Sequence, residues 1–509
     1  MIRPDDLGDN SGDEVGEVGF GDASSYRGWL IWLVVSYAGI VIVAQVMGGL
    51  ALALVALLMS IWYVAAYRYV SRLKHRRIPT ALWVMTLFWM IYYPIRLLVI
   101  MSNRHSHAVH FITYYATDAD LAWVWLVSGA GFAALLVGNA LTSFVPVSPL
   151  RASTGRGQYQ GIALAALVLT LASNYVGSAS GLLSNAALLY LFGIGGLAYS
   201  DALERRLRLS TLSLLGVAIL LGAATSFKEL AVLPVVAWII GYFVGSPRIR
   251  WFAVLATALV GLMGYLGVEG QRISGGGNIV SEAWNALTRY DLTLKFQGDH
   301  RKNAGEMVTD ITSNMSARTS GVEAMLLLRR DVPDRVPYQH GASIFEPAVN
   351  MIPGVSRLHT TKFTQLSLGR WYNINFYTSN PQTDPSSQAL TLMADFFLNW
   401  DVLGIAIGMM FIGAATRLYD MKFPANSGFG VAIFAYVGTA FAGIERNVAY
   451  FLVTIGIRLA IIAVVIVILG AAEPRQAGAG DALSPAEGLN GPTPRPRGPG
   501  LWGTGDVGR

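Results

Sequence analysis

The chain contains no cysteine and has few charged residues for its length. Of its 509 residues, 13% are Asp, Glu, Lys or Arg, whereas a soluble protein carries about 25%. The absence of cysteine excludes disulfides, cysteine metal ligands and thiol nucleophiles, which argues against sortase-like transpeptidases. With 53% hydrophobic residues and a mean hydropathy of +0.48, the composition indicates a polytopic membrane protein.

The apolar runs also lack the alternation of apolar and polar residues that is typical of barrel strands. Continuous apolar runs of about 20 residues are typical of membrane-spanning helices. We therefore predict an all-α polytopic membrane protein with about twelve transmembrane helices. The predicted spans are 28–46, 48–69, 79–101, 121–142, 161–177, 182–199, 209–226, 230–245, 251–268, 390–415, 427–444 and 447–470.

One long polar segment interrupts the apolar runs. It covers residues 269–389, after helices 1–9 in 28–268 and before helices 10–12 in 390–471. The beginning of the chain, 1–27, is acidic, and the tail, 472–509, is rich in Gly, Pro and Ala. We expect both ends to be disordered, and we find no sign of a cleavable signal peptide. No internal repeat is apparent, although a two-halved transporter is expected to show one.

Lys and Arg in the short links predict the orientation, because positively charged links stay in the cytoplasm. The positive links are Arg68/Arg72/Lys74/Arg76/Arg77, Arg151/Arg156, Arg205/Arg206/Arg208, Arg248/Arg250 and Arg417/Lys422. With twelve spans, all these links fall on one side of the membrane together with both termini. The net charge of +6 thus reflects topology rather than nucleic-acid binding. We predict cytoplasmic termini and a large loop that lies outside, in the periplasm or its equivalent.

Cations and aromatic residues are concentrated near the end of the large loop. Arg357 and Lys362 are followed by Arg370, Trp371 and Tyr372 before the chain re-enters the membrane. Arg can bind a phosphate with two parallel hydrogen bonds, and Lys supplies a point charge. Aromatic rings can stack on sugars. The alternatives are an interfacial belt beside lipid headgroups and the core of a folded subdomain.

Several further residues are candidates for a site at the same side of the membrane. Lys228–Glu229 and Glu445–Arg446 occupy matching places between spans, where the alternative is a pair of snorkelling ions. Arg458, near the middle of the last span, must face protein, water or a counter-charge, and both a structural partner such as an inward carboxylate and a substrate are open. A further candidate is Asp395, which could act as a general base if it is not a capping or loop-holding residue.

Histidines give weaker signals. His340 and His359 in the large loop are catalytic candidates, although each alone is more often structural. His105, His107 and His110 are too loosely spaced to predict a metal site, and no carboxylate triad accompanies them. We therefore expect no metal and no cofactor.

One segment resembles a known family. Residues 387–419, SQALTLMADFFLNWDVLGIAIGMMFIGAATRLY, resemble the signature of bacterial O-antigen polymerases and oligosaccharide repeat-unit polymerases. That signature has an acidic residue, an Asn, several glycines and a positive cytoplasmic end. The corresponding residues are Asp395, Asn399, Gly404, Gly408, Gly413 and Arg417. Further similarities are Pro353, Arg357 and Lys362, the Ser226-Phe227-Lys228 run, and Arg446.

This chain departs from the family pattern at three places. Lys228 stands where Arg is usual, and Asp395 replaces the commoner Glu. The Asn399-Trp400-Asp401 run lacks the usual aromatic–Gly pair after Asn. The related O-antigen ligases share the many-span plan and the large outer loop.

The resemblance implies a membrane glycosyltransferase that polymerises polyprenyl-diphosphate-linked repeat units at the outer face of the bacterial inner membrane, with the large loop in the periplasm. The predicted diphosphate-binding residues are Lys228, Arg272, Arg357, Lys362, Arg370 and Arg446. The predicted base is Asp395, His359 or His340, and the predicted sugar contacts are Trp371, Tyr372 and Asn399. A chain-length regulator and a flippase are possible partners, and no nucleic acid is expected. The alternatives are glycan ligation to a lipid core, a transporter or flippase, and a structural assembly protein.

Overall fold

The computed structural model describes residues 23–46, 52–73, 79–102, 116–150, 152, 154–175, 181–224, 228–246, 251–261, 321–350, 367–376 and 390–472. All regular secondary structure within these ranges is helical, which confirms the predicted fold class to that extent. The helices are numbered here in chain order. They are α1 (Ala23–Val46), α2 (Leu52–Leu73), α3 (Ala81–Ser102), α4 (Asp118–Thr142), α5 (Arg156–Tyr175), α6 (Gly181–Ala187), α7 (Tyr190–Leu203), α8 (Leu209–Ala224), α9 (Lys228–Gly245), α10 (Trp251–Gly261), α11 (Gly321–Asp331), α12 (Ala342–Asn350), α13 (Leu368–Phe376), α14 (Leu392–Lys422), α15 (Gly428–Tyr436) and α16 (Val448–Ala472).

Seven of the described helices are long and apolar enough to cross a membrane, so the chain is a membrane protein. They are Arg27–Val46, Leu52–Leu73, Ala81–Ser102, Asp118–Thr142, Leu183–Leu203, Leu392–Lys422 and Val448–Gly470. Shorter apolar helices cover Leu209–Gly222, Leu230–Gly245 and Trp251–Gly261. Every predicted span therefore coincides with helix at least in part, but the count of twelve exceeds the seven helices that qualify. The predicted span 427–444, for example, consists of the nine-residue α15 and a 3₁₀ turn, Gly438–Ala442.

Ser and Thr side chains begin several of these helices. The Thr391 hydroxyl accepts a hydrogen bond from the backbone N–H of Ala394 at 3.3 Å, and Thr80 accepts one from Trp83 at 3.1 Å. At the start of α4, the Thr117 side chain and Asp120 form a reciprocal capping box. These oxygens bind N–H groups that have no partner within the helix, which fixes where each helix begins.

The helices pack in two groups. In the first group, α14 makes its most extensive contact with α4, and α1, α2 and α3 surround this pair. A Cβ atom on Gly138 would lie 1.9 Å from the Met410 carbonyl oxygen, and one on Gly413 would lie 2.0 Å from that of Leu135. The two backbones thus touch at these glycines. The Asn139 side chain adds a hydrogen bond to Thr416 at 3.2 Å.

The second group is centred on α7, which packs against α5, α9 and α15. Here too, glycine permits close approach, because a Cβ atom on Gly241 of α9 would lie 2.2 Å from the Gly195 carbonyl oxygen of α7. The 3₁₀ turn that follows α15 packs against α3 and so joins the two groups.

The described part of the large polar segment consists of α11, α12 and α13. The first of these helices contacts α3, α4 and α14, and α12 contacts α14. We call this end of the first group the loop end. By internal contacts, the chain divides into the unit Met1–Val464, which contains all these features, and the unit Val465–Arg509. Of the second unit, residues 465–472 are described, and they are helical. The predicted disordered ends, 1–27 and 472–509, lie almost entirely outside the described residues.

Candidate functional site

A break in α14 defines the site at the loop end. Trp400 (φ −147°, ψ 28°) and Asp401 (φ 59°, ψ −155°) leave the helical conformation, so a short first part, 392–399, is separated from the remainder. The Leu398 carbonyl accepts a hydrogen bond from the Gln339 N–H at 3.0 Å. Residues 339–343, which lead into α12, therefore dock on α14 where the helix is interrupted, and we call them the docked segment.

Asp395 and Asn399 hold this docked segment in place. The Ser343 hydroxyl donates to the Asp395 carboxylate, and the Asn399 amide donates to Ser343 Oγ at 2.6 Å. Asn399 Oδ1 accepts from the Gly341 N–H at 2.6 Å. The second carboxylate oxygen of Asp395 accepts from the Val448 N–H, the first residue of α16, at 2.9 Å. These interactions form a polar bracket, which joins the docked segment, α14 and α16.

This bracket changes the roles that the sequence suggested for its members. Asp395, Asn399 and Ser343 are each 0% exposed. A carboxylate so enclosed cannot meet an acceptor hydroxyl in this arrangement, and an enclosed amide cannot contact a sugar. The alternative interpretation of Asp395, capping and loop hydrogen bonding, fits the geometry. We therefore correct both predictions and assign Asp395 and Asn399 as positioning residues.

His340 lies on the exposed side of the same bracket. Its ring is 6.4 Å from that of Tyr338, which in turn hydrogen-bonds to Asp401. Partial burial, together with the Asp401 carboxylate, raises the pKa of the Tyr338 phenol above its ordinary value. His340 (φ 46°), Gly341 (φ 94°) and Asp401 (φ 59°) all have left-handed backbone conformations. Backbone strain of this kind is concentrated at functional sites. The exposed side of the bracket combines it with the ionisable side chains of His340 and Asp401.

Sequence reasoning missed a second polar cluster, which lies in α3 beside the bracket. Residues Ile91–Ile95 form a π-helical turn containing Pro94. The missing N–H of proline disturbs the α-helical hydrogen bonds, and π turns are frequent at functional sites. Immediately after the turn, Arg96 forms a buried ion pair with Glu323 of α11. The local signal for this cluster was a proline and a cation within one apolar run.

Hydrogen bonds from the π turn also reach α14 and the link before α16. The Tyr92 hydroxyl donates to Glu445, and the Tyr93 hydroxyl lies 3.1 Å from Thr391 Oγ1. Arg446, which follows Glu445, is half-buried with its guanidinium 4.9 Å from the centre of the Tyr450 ring. The predicted diphosphate-binding residue Arg446 is thus two residues from the bracket donor Val448.

Arg370, Trp371 and Tyr372 lie together in α13. Trp371 is 5% exposed and Tyr372 is 0% exposed, and the Tyr372 ring packs 4.9 Å from that of Phe376. Rings buried in this way cannot stack on a sugar, so the core interpretation replaces the predicted sugar contact for both. Arg370 is half-buried on the same helix. The carbonyl of Asn375, also in α13, accepts a hydrogen bond from Arg335, which follows α11.

The remaining predicted residues lie outside the described part of the chain. They are Arg272, Arg357, His359 and Lys362, together with the histidine group His105, His107 and His110. Lys228 begins α9, but its side chain is not among those described. Within the described residues, no three His, Asp or Glu side chains form a group that could bind a metal ion.

Comparisons with known proteins do not assign the chain to a family. No protein-family model, no curated protein and no solved structure matches it.

Proposed function

We propose that this chain is a membrane glycosyltransferase that polymerises repeat units carried on polyprenyl diphosphate. The polymerase-like signature in 387–419 supports this function. The observation that carries the proposal is the connection made by Asp395. This single carboxylate binds Ser343, on the segment that presents His340, and Val448, beside the link that presents Arg446. A candidate base and a candidate diphosphate-binding cation are thereby tied to one buried group.

The reaction assigns a distinct task to each of these groups. The acceptor hydroxyl oxygen forms a bond to the anomeric carbon of the donor, while the bond from that carbon to the diphosphate oxygen breaks. The His340 imidazole accepts the hydroxyl proton. The lipid diphosphate leaves with the bonding electrons, and the fixed charge of Arg446 stabilises it. Asp395 and Asn399 hold the two groups at their positions.

The membrane topology is part of the same proposal. Twelve spans would place the positive links and both termini in the cytoplasm of a bacterium and the loop end in the periplasm. Lipid-linked glycans and the loop end would then share one face of the inner membrane. Polymerases of this type commonly work beside a chain-length regulator, which we propose as a partner together with a flippase.

A reconstituted transfer assay tests the function. Purified protein in liposomes receives a polyprenyl-diphosphate glycan, with or without a second lipid-linked unit, and products are followed by mass spectrometry. A ladder of repeat units supports polymerisation. One transfer to a lipid core would replace it with ligation, and the absence of any transfer would refute a glycosyltransferase.

Variants of the two proposed groups make the assay specific. His340→Asn removes the titratable ring but tolerates the left-handed backbone, and we expect about 100-fold slower transfer or worse. We expect a similar loss for Arg446→Gln. Arg330→Gln is the matched control, because Arg330 is an exposed cation of α11 that pairs with Asp331. Wild-type transfer rates in both site variants would remove these residues from the mechanism.

A second candidate function is a lipid-linked glycan flippase. The break in α14 favours it, because interrupted helices are a feature of transporters. In the same liposomes, movement of intact donor to the opposite leaflet without transfer would establish this function.

A further inference from the structure

Two exposed aromatic rings lie beside the strained segment at the loop end. Trp400 is 40% exposed and Phe345 is 64% exposed. A Cβ atom on Gly341 would lie 2.9 Å from the Phe345 ring and 3.2 Å from the Trp400 ring, so both rings lie against the same glycine. The lack of a side chain at Gly341 leaves room for the two rings. We call Trp400 and Phe345 the aromatic platform.

The rings of the aromatic platform have no aromatic partner within the described residues. Neither of them pairs with another ring there, and no group in that part of the chain accepts a hydrogen bond from the Trp400 indole N–H. By contrast, Trp123 of α4 packs edge-on against Phe397 with the ring centres 5.4 Å apart, and the Arg329 guanidinium lies 4.8 Å from its ring centre. The platform therefore offers its rings and an N–H donor to a molecule outside the chain.

Polar side chains flank the aromatic platform along the chain. His340 precedes Gly341, Asp401 follows Trp400, and both His340 and Asp401 are exposed. The ring of the half-buried Tyr338 lies 6.4 Å from that of His340. The phenol and the indole N–H donate hydrogen bonds, the carboxylate accepts them, and a neutral imidazole does both. The surface thus combines two apolar rings with nearby donors and acceptors.

The aromatic platform lies at one end of the membrane-spanning part of α14. From Asp401 to Lys422, this helix is about 33 Å long at ~1.5 Å per residue, which matches a hydrocarbon core of about 30 Å. Leu403, which is 67% exposed, belongs to the apolar surface of that part. Trp400 therefore lies at the level of lipid headgroups, where the first sugars of a lipid-linked glycan emerge.

A sugar ring has the chemistry that matches this surface. Its faces carry apolar C–H groups and its edge carries hydroxyl groups, so aromatic rings cover the faces while polar side chains bind the hydroxyls. A lipid headgroup is the alternative occupant, because Trp residues are enriched at membrane interfaces. The charge beside Trp400 favours the sugar, since the Asp401 carboxylate repels a lipid phosphate and accepts hydrogen bonds from hydroxyl groups.

We propose that the aromatic platform is a carbohydrate-binding site that stacks on a pyranose ring beside His340. These exposed rings take the place of the buried Trp371 and Tyr372 as the sugar contacts. Assigning the pyranose to the acceptor unit rests on the proposed function, in which His340 is the base for the acceptor hydroxyl. Sugar binding itself does not depend on transfer and can be measured separately.

Saturation-transfer NMR on the full-length protein measures sugar binding directly. Lipid nanodiscs are used because glycoside detergents would compete for the site. The probes are the methyl pyranosides of glucose, galactose, mannose, rhamnose and N-acetylglucosamine, with sorbitol as an open-chain polyol that has no ring face. Trp400→Leu and Phe345→Leu, the platform variants, each remove one ring, whereas Trp400→Phe keeps a ring. Trp29→Leu is the matched control, because Trp29 of α1 is 39% exposed.

We expect at least one pyranoside, but not sorbitol, to bind the wild type, and each platform variant to weaken this binding by about 3- to 10-fold. Trp400→Phe should keep most of the affinity, and Trp29→Leu should bind like the wild type. Either platform variant suffices if the other fails to fold. Wild-type affinity in the folded platform variants would overturn the proposal and identify the rings as interfacial anchors. Failure of every pyranoside to bind the wild type would also overturn it.

The transfer assay separates this proposal from the proposed function. Loss of a stacking ring should raise KM for the lipid-linked acceptor with little change in kcat, whereas His340→Asn should lower kcat. Sugar binding that depends on the platform, without any glycan transfer by the wild type, would keep the site and refute the proposed function. Transfer with an unchanged acceptor KM in both platform variants would do the reverse.

Discussion

The two long helices α14 and α16 are both apolar, but the structure uses them differently. In the most apolar stretch of α14, 56% of the residues are buried, against 22% in α16. α14 is broken at Trp400 and Asp401, whereas α16 continues unbroken from Val448 to Ala472. Their polar residues differ as well: hydrogen-bond donors surround the Asp395 carboxylate of α14, while Arg458 of α16 has neutral partners.

The two helices therefore differ in how the surrounding protein compensates the charge of a buried side chain. Beside α14, donors surround the carboxylate of the polar bracket, and Arg96 forms an ion pair with Glu323. These contacts join the docked segment, α14 and α16 at the loop end. For Arg458 of α16, the described residues supply neutral hydrogen-bond acceptors and no paired carboxylate.

The largest effect is expected from removing the counter-charge of Arg96, so that its guanidinium, like that of Arg458, has only neutral described partners. Glu323→Gln keeps an oxygen that can accept from Arg96 but removes the counter-charge of a buried pair. We expect a loss of about 3 kcal/mol in the free energy of unfolding, measured by denaturation in mixed micelles. Arg96→Met combined with Glu323→Met should recover most of this loss, because an apolar pair leaves no buried charge. If Glu323→Gln unfolds like the wild type, uncompensated arginines are tolerated here and the contrast with Arg458 disappears.

The polar bracket should show a smaller and more local effect. Asp395→Asn replaces one carboxylate oxygen by an amide nitrogen, which cannot accept, so the side chain can no longer accept from both Val448 and Ser343. We expect a loss of about 1.5–3 kcal/mol, with faster amide hydrogen exchange in 339–350. Asp334→Asn is the control, since Asp334 is an exposed carboxylate of the same described segment. Unchanged exchange in Asp395→Asn would show that other contacts hold the segment.

Glycines test whether α14 and α16 differ in packing as well as in charge. Gly413→Ala would place a Cβ 2.0 Å from the Leu135 carbonyl oxygen, whereas a Cβ on Gly456 of α16 meets no atom within 4 Å. We expect Gly413→Ala to lower the free energy of unfolding by about 1–3 kcal/mol and Gly456→Ala to lower it by nothing measurable. Thermal unfolding of both variants in one detergent gives the comparison. Equal melting temperatures would mean that α4 moves aside without cost.

Hydropathy predicted where the helices lie, but not where they are interrupted. Each predicted span coincides at least partly with a helix because burial in a membrane needs a sustained apolar run. The break at Trp400–Asp401 lies where the docked segment meets α14, and the π turn lies where α11 meets α3, so both involve segments that are distant in sequence. Only Pro94 gave a local signal.

The sequence predicted which residues belong to the site better than it predicted which of them contact each other. Asp395 and Asn399 stood out in the sequence, but only their burial shows that they hold the loop end together. Arg96 and Glu323 are 227 residues apart, and nothing local relates them. For Arg458, sequence left a carboxylate or a substrate open, and the described partners provide no carboxylate.

The smallest effect concerns the break itself, where Asp401 adopts φ 59° and ψ −155°, a conformation that suits glycine. Asp401→Gly also restores the aromatic–Gly pair of the family that this segment resembles. We expect a gain of about 1 kcal/mol in the free energy of unfolding, since relief of strain exceeds the loss of an exposed contact with Tyr338. Asp401→Ala loses the same contact but keeps the strain, so it should melt below the wild type. If Asp401→Gly is stabilised and transfers glycan more slowly, the carboxylate is retained for function rather than stability. If it is destabilised, the break is held by the Tyr338–Asp401 contact, and the exposed side of the junction is as structural as its buried side.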